Sequence, residues 1–490
     1  MYGSLSLLPL DLLHPILCYL TDYADINACS QVNKTFNSIA TPKLYRKLDS
    51  RAISKFFIHH PSAALRLNPG LAQHVRCVTE TSAIQHGLLA RYPSIVQDTL
   101  SALTLCSNIQ CLTWIDDCTT PNGILLALLS VIRNLPLQDL TIRTHDHIDE
   151  NTWAQLSLLT GLRKLSLWSM SGPPKVLNSW SYNLGKTLVQ LELGLTCFSA
   201  ETCVHFLSQF PLLTDLRLKG APSTSITNIL SLLPNLKNLD TEYTILPLSS
   251  SLFRRAQSAP AHGQSANNKD PSALPVLHTL AVRTTALDAL GPQKLWTWIH
   301  KLVPRRGLQK LKLHSFTLYG NITPSGSSSS SLSLPWPTVA SGVPGLAPPG
   351  PPTQTMFPKM FMLELAVAQR DTLKDFEIEG LVLSTQDLET VLGLFPRLKR
   401  VHCAMMCQDV GSLLEVFTKF GPELESLRLD QVQWCSPNSQ FTLADAKWMM
   451  LNSKLRVIRV GLVLYTGRWS QDSTGASVLE VSETAQRDWW

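Results

Sequence analysis

The sequence predicts an α/β solenoid: a small three-helix module, then a long arc of repeats with parallel strands on the concave side and helices on the convex side. Three observations carry this. Leucine fills 85 of the 490 positions and is spread along the whole chain. After residue 75 the phrase Leu-x-x-Leu-x-Leu, or a close apolar variant, returns at a nearly constant interval. Between successive phrases lie segments of helical periodicity, several closed by an apolar-Pro-x triplet. Length alone, at about 150 residues per domain, suggests three domains. A repeat with this spacing favours one solenoid instead.

The first 48 residues have their own pattern. Leu12, Leu13, Ile16, Leu17 and Leu20 recur at helical spacing after Pro9, with Asp11 suited to capping and Pro15 placed at the edge of the first turn. Asp25 to Phe36 carries a second apolar set at Ile26, Cys29, Val32 and Phe36, and Ile39 to Leu48 a third, split by Pro42. Three short helices bury too little surface to stand alone, so residues 1–48 are expected to lean on a partner or on the neighbouring domain. Residues 49–74 read as a helical linker.

The repeats are expected over residues 75–463. Their first apolar positions run Leu137, Leu162, Leu188, Leu213, Leu236, then Leu373, Leu398 and Leu424, in steps of about 23 to 26 residues that match leucine-rich repeats. Weaker units begin at Val75, Ile109, Leu277, Leu308 and Leu455, for about 13 units in all. Pro211, Pro234, Pro275 and Pro396 end one element before the next strand. Ser199, Ser223 or Ser225, and Ser384 with Asp387 three residues on, are starting caps for the helices. Each unit is strand, turn, helix, and its leucines can be buried only by stacking on the next unit.

Two intervals break the spacing. Residues 247–275 and 320–355 are rich in proline, serine and glycine, and read as solvent-exposed insertions without fixed structure. At the far end Leu455 to Val463 and Val478 to Val481 are β-prone and read as closing strands, with residues 464–490 as a cap or tail.

Residues 8–48, LPLDLLHPILCYLTDYADINACSQVNKTFNSIATPKLYRKL, resemble the F-box motif: Leu-Pro-x-acid-Leu-Leu, Ile-Leu-x-x-Leu, Asp-apolar, Val, aromatic, then Pro-x-Leu-aromatic. Leu8, Pro9, Asp11, Leu12, Ile16, Leu17, Leu20, Asp25, Ile26, Val32, Phe36, Pro42, Leu44 and Tyr45 fill those places. Asn33 stands where cysteine is frequent and Phe36 where tryptophan is frequent. The resemblance implies a non-catalytic substrate-recognition subunit of an SCF-type ubiquitin ligase, joined to cullin through the Skp adaptor. It further implies that Leu8, Pro9, Leu12, Leu13, Ile16, Leu17, Leu20, Asp25, Ile26, Val32, Phe36, Leu44 and Tyr45 bind the adaptor, and the repeats a protein substrate. Two alternatives remain open: a leucine-rich-repeat GTPase activator, and an adaptor-bound structural assembly factor without cullin.

Strand residues alternate sides, so those flanking the second leucine of each phrase are expected on the concave face. Lys164, Glu192, Arg217, Lys310, Lys312, Arg400, Arg428 and Arg459 are the charged substrate-facing candidates. Arg400, Arg428 and Arg459 form a candidate stripe for an acidic or phosphorylated segment, against the reading of a solvated face neutralised by Asp375 and Glu377. His402, Cys403 and Cys407 lack a fourth ligand at zinc spacing, so no metal is expected. Neither a phosphate-cradling glycine loop nor a cysteine nucleophile with His and Asp at recognisable spacing occurs, so no cofactor or catalytic residue is expected. Arg254 to Ser258 resembles a basic-directed kinase site.

Net charge is only +6, from 42 basic and 36 acidic groups, and implies no nucleic-acid footprint. No stretch reaches the ~18 apolar residues of a membrane helix. Leu5 to Leu20 mimics a secretory signal, but no Lys or Arg precedes it. Eleven cysteines without paired spacing fit free thiols in the cytoplasm or nucleus.

Overall fold

The computed structural model describes residues 10–50, 60–82, 88–89, 92–116, 123–144, 147–169, 178–195, 200–243, 276–284, 293–304, 306–314, 358–436, 439–471 and 476–485. Leu8, Pro9, Cys118, Ser199, Arg254 to Ser258, both insertions and the terminal tryptophans lie outside these residues. The chain divides into two compact units, with boundaries at Glu242/Tyr243 and Val276/Leu277.

The first unit opens with helices α1 (Leu10–Cys18), α2 (Tyr23–Ser30) and α3 (Lys34–Leu44). Their division differs from the sequence expectation. The second apolar set does not continue to Phe36, because Asn33 is extended (φ −163°, ψ 175°) and its side chain accepts from the Phe36 N–H at 2.9 Å. That cap starts α3. Pro42 then falls in the last turn of α3, where it removes one hydrogen bond without ending the helix. Since α1 begins at Leu10, Pro15 sits in its interior and not at the first-turn edge. Leu17, Ile26 and Ala40 form the buried centre of the module, with Leu20, Cys29, Phe36, Ile39 and Leu44 packed around it.

The sheet also starts earlier than the leucine phrases indicate. Strand β1 (Lys47–Asp49) pairs in parallel with β2 (Cys77–Thr81). Between them run α4 (Pro61–Leu67) and a 3-10 turn over Pro69–His74. Then β3 (Cys111–Asp116), β4 (Asp139–Thr144), β5 (Lys164–Ser169), β6 (Gln190–Leu195), β7 (Asp215–Lys219) and β8 (Asn238–Tyr243) follow, each parallel to the strand before it. Burial alternates along these strands: Leu112, Trp114 and Asp116 of β3 are buried while the residues between them are half-buried. On the helix side the rings of Trp153, Trp180, Phe206 and Phe210 follow one another with centroids 5.0 to 6.0 Å apart, so consecutive helices are tied by aromatic contact.

In the second unit β9 (Thr279–Thr284), β10 (Lys310–His314), β11 (Asp375–Ser384), β12 (Arg400–Cys407), β13 (Ser426–Trp434) and β14 (Val457–Val460) are parallel in the same way. Two antiparallel strands, β15 (Val463–Gln471) and β16 (Ser477–Ala485), close the sheet. Leu455 to Val460 thus belongs to the last parallel repeat, and the closing pair follows it. Gly461, at φ +58°, makes the turn from β14 into β15, a conformation that a Cβ disfavours. Among the described residues the strands of each unit follow chain order, and both units are of the predicted α/β solenoid class.

A backbone ladder fixes the stacking. Just before most of the parallel strands, one carbonyl accepts two N–H groups from the next repeat: Arg163 O from Val189 and Gln190, Lys374 O from Lys399 and Arg400. Gln309 O receives Lys374 and Asp375 at 2.8 and 3.0 Å across the long insertion. Side-chain amides add a second tie, since Asn108, Asn183 and Asn235 donate to the carbonyls of Gln73, Ser157 and Pro211 in the preceding repeat. Gln369 plays this part in the second unit. Fully buried, it donates to Pro304 O at 2.6 Å and accepts from the Leu308 N–H and the Thr372 hydroxyl. Gln369→Leu is therefore expected to cost about 1 to 3 kcal/mol, the penalty of a buried backbone group left unmet, read as a lower urea midpoint at unchanged slope. A midpoint equal to wild type would show that these groups find other partners.

Capping follows the sequence where it was legible. Ser384 and Asp387 form a complete capping box for helix Thr385–Leu394, and Thr442 with Asp445 a second one for Leu443–Leu451. Ser225, by contrast, makes no side-chain cap for Ile226–Leu232; a 3-10 turn over Ser223–Ser225 leads into that helix instead.

Candidate interaction surfaces

The N-terminal module presents an apolar face that its own core does not use. Helical spacing sends Leu13 and Leu17 inward, where both are buried, and leaves Leu12 and Ile16 on the other side at 48% and 46% exposure. Tyr19 just beyond α1, Tyr23 at the start of α2 and Val32 are exposed as well, at 87%, 49% and 59%. The adaptor-binding candidates thus divide into two groups. Leu12, Ile16, Asp25 and Val32 face outward, whereas Leu13, Leu17 and Ile26 are buried and Leu20, Phe36 and Leu44 pack on the core they form, with Tyr45 half-buried beside them. The buried group cannot touch a partner in this conformation and shapes the module that presents the others. Tyr19 and Tyr23 were missed by motif matching, although Tyr19 falls seven residues after Leu12, on the same helical face.

Lys43 holds that face in place. Its Nζ donates to the carbonyls of Leu17, Cys18 and Leu20 at 2.6, 3.0 and 2.5 Å, meeting the unsatisfied end of α1 with a cation.

On the strands, register places the substrate-facing candidates in rows. In the first unit Lys164 lies beside Gln190 and Asp215, and Ser166, Glu192, Arg217 and Asp240 make the next row. Arg217 is already committed: it pairs with Glu192 at 2.8 Å and Asp240 at 3.1 Å. One further row, unread in the sequence, joins Arg143, Trp168, Gly194 and Lys219 across β4 to β7. The Arg143 and Arg217 guanidinium carbons and the Lys219 Nζ lie 5.4, 5.5 and 5.1 Å from the Trp168 ring centroid. Gly194 permits this arrangement, since a Cβ there would fall 2.7 Å from Trp168 Cδ2.

In the second unit the expected arginine stripe is not one row. Arg400 aligns with Asp375, Ser426 and Val457, whereas Arg428 aligns with Glu377, His402 and Arg459. Each arginine is also occupied within the chain. Arg400 grips Asp375 through both carboxylate oxygens at 2.8 and 2.6 Å, Arg428 Nε donates to Asp430 at 2.7 Å, and Arg459 Nε donates to Gly461 O at 3.0 Å. Lys312 pairs with Glu377 at 2.5 Å and Lys310 lies 3.8 Å from Asp375. Of the two carboxylates expected to neutralise the stripe, Asp375 pairs with Arg400, whereas Glu377 pairs with Lys312 and His402 and with no arginine among the described residues.

His402 is the centre of this network. Its Nδ1 meets Glu377 at 3.1 Å and its Nε2 meets Asp430. Burial pulls the imidazole pKa down, but the hydrogen bonds to Asp430 and Glu377 outweigh it and hold the ring at about 9. Burial likewise pushes Glu377 up, and hydrogen bonds from His402 and Lys312 overcome it to bring the carboxyl to about 2. The ring is therefore a buried cation at neutral pH.

Ligand atoms of His314, Glu377 and Glu379, and of Glu379, His402 and Asp430, lie within 4.8 Å of one another, a donor set chemically able to take a divalent ion. Lys312 and Arg428 already bond these carboxylates, and both ring nitrogens of His402 are engaged, so the set is satisfied as an ion-pair network. The three residues first inspected for zinc do not converge. Cys403 points into the core, where burial pushes its thiol up to about 12, while His402 lies on the opposite side of β12 and Cys407 Sγ donates to Asp409 O at 3.1 Å.

Residues 5–51 match the F-box-like family model. The chain therefore carries an F-box-like domain, set ahead of a repeat α/β solenoid. No curated protein matches it. Among solved structures, the Rad7 and Elc1 complex of yeast is similar over 89% of this chain and 89% of that chain, at 14% identity and a TM-score of 0.41. The TLR13–ssRNA13 complex is similar over 86% of this chain and 55% of that chain, also at 14% identity, with a TM-score of 0.33. Among the described residues no helix is long and apolar enough to cross a membrane.

Proposed function

We propose that this chain is the substrate-recognition subunit of an SCF-type ubiquitin ligase. The exposed apolar face of Leu12, Ile16 and Val32 docks on a Skp adaptor, which links the chain to cullin, and the repeats hold a protein substrate. The supporting observation is that a module matched as F-box-like carries, outside its own core, an unused apolar face at helical spacing. The chain's part is positioning: ubiquitin transfer belongs to other subunits, and the expected compartment is the cytoplasm or nucleus, where free thiols persist.

Co-purification of adaptor and cullin with the full chain tests this. Both should come down with wild type and neither with a variant disrupted at Leu12 and Ile16. Absence of adaptor from the wild-type complex would sink the proposal, and adaptor without cullin would point to an assembly factor outside the ligase.

A further inference from the structure

Several of the strand-face cations named above are occupied within the chain. Arg217, Lys312, Arg400 and Arg428 pair with carboxylates, and Arg459 is turned to a backbone carbonyl. Arg143 and Lys219, like Lys164 and Arg459, have no carboxylate partner among the described residues, but the first two also lie against the Trp168 ring. They flank Trp168 in a single register row, against a ring that Gly194 allows to lie over β6.

We propose that the Arg143–Trp168–Lys219 row is a recognition site for one phosphate monoester carried on a protein segment. Two uncompensated cations match the near-dianionic charge of a phosphorylated side chain, and the arginine fork suits bidentate contact with its oxygens. The indole holds the cations in place before a ligand arrives, which lowers the entropy lost on binding, and offers an apolar plate for a residue neighbouring the phosphate. Free phosphate would lack that second contact. A nucleic acid is disfavoured by the row that holds Asp139 and Asp215, whose carboxylates would repel successive backbone phosphates. Its sense as substrate capture rests on the receptor reading above.

The test uses the full chain and a fluorescent degenerate peptide library with phosphoserine fixed at its centre, measured by anisotropy. The phosphorylated library is expected to bind at least tenfold more tightly than the same library with serine. Arg143→Gln/Lys219→Gln should reduce that preference below twofold, and Gly194→Ala, which displaces the ring without removing charge, should weaken binding at least threefold. Arg428→Gln should leave it unchanged. Arg143 is exposed, so the single Arg143→Gln variant decides the matter should the double variant fail to fold. Equal binding of the two libraries, a preference retained without Arg143, tighter binding of a ten-nucleotide single strand, or inorganic phosphate competing as well as the phosphopeptides would each overturn the proposal. Adaptor capture by the same preparations separates the two readings: capture without phosphopeptide preference refutes the site alone, and preference without capture refutes the receptor alone.

Discussion

Leu12→Asp/Ile16→Asp should abolish adaptor capture while leaving the chain folded. Both side chains are about half exposed, so their replacement removes little of the module's core. Against a partner they are worth roughly 1.5 to 3 kcal/mol each when buried, and a carboxylate in their place adds a desolvation penalty. The loss should therefore exceed about a hundredfold in affinity. Leu17→Ala is the instructive contrast. Leu17 is buried beside Ile26 and Ala40, so its truncation should lower the thermal stability of the module by about 2 to 5 kcal/mol. Surface plasmon resonance on immobilised adaptor, paired with circular dichroism, distinguishes the two. Unchanged adaptor affinity in the double aspartate variant would mean that another face does the docking.

The second large effect is a pH dependence centred on His402. The folded ring titrates at about 9 against 6.5 for the free side chain, so its contribution is fully present below pH 6.5 and is lost as pH rises through 9. A difference of that size corresponds to about 3 kcal/mol. Glu377 acts at the other end. Its pKa is lowered from 4.5 to about 2, so its contribution is present above pH 4.5 and disappears as pH falls through 2. Between pH 4.5 and 6.5 both act together. Amide exchange over β11 to β13 should accelerate in wild type between pH 6.5 and 9 beyond the intrinsic base-catalysed rate, and His402→Gln should show no such excess. Parallel profiles for the two proteins would remove His402 from the account.

What could be read in the sequence, and what could not, follows from the range of each interaction. The leucine phrases were legible because every strand must bury the same positions, and Ser384 with Asp387 because a capping box is complete within four residues. β1 was not, since Lys47–Asp49 has no leucine phrase and becomes a strand only by lying against Cys77–Thr79. The break at Asn33 was hidden by Ile26, Cys29 and Val32, whose spacing continues a helical pattern past the residue that stops it. The outward position of Leu12 and Ile16, opposite Leu13 and Leu17, was implicit in helical geometry, but motif matching treats all four alike. Charge neutralisation on the strand face depends on distant residues: Arg217, Arg400 and His402 meet carboxylates one repeat away, and Lys310 and Lys312 meet Asp375 and Glu377 from across the long insertion. Fixed repeat length makes those neighbours predictable only once register is known, and Asp430 and Glu379 lie beyond the phrase that sets it.

The carbonyl of Gln309 receives its two donors from Lys374 and Asp375 as if the intervening chain were one ordinary repeat. Length between β10 and β11 is thus decoupled from the stacking, and lengthening a closed loop costs only about 0.6 kcal/mol per doubling. Codons can be gained or lost ahead of helix Lys359–Gln369 while its buried Phe361, Met362, Leu365 and Gln369 keep their places. That junction is where lineages of this protein should vary most in size, and where a reporter domain could be inserted while the register of the strands is kept.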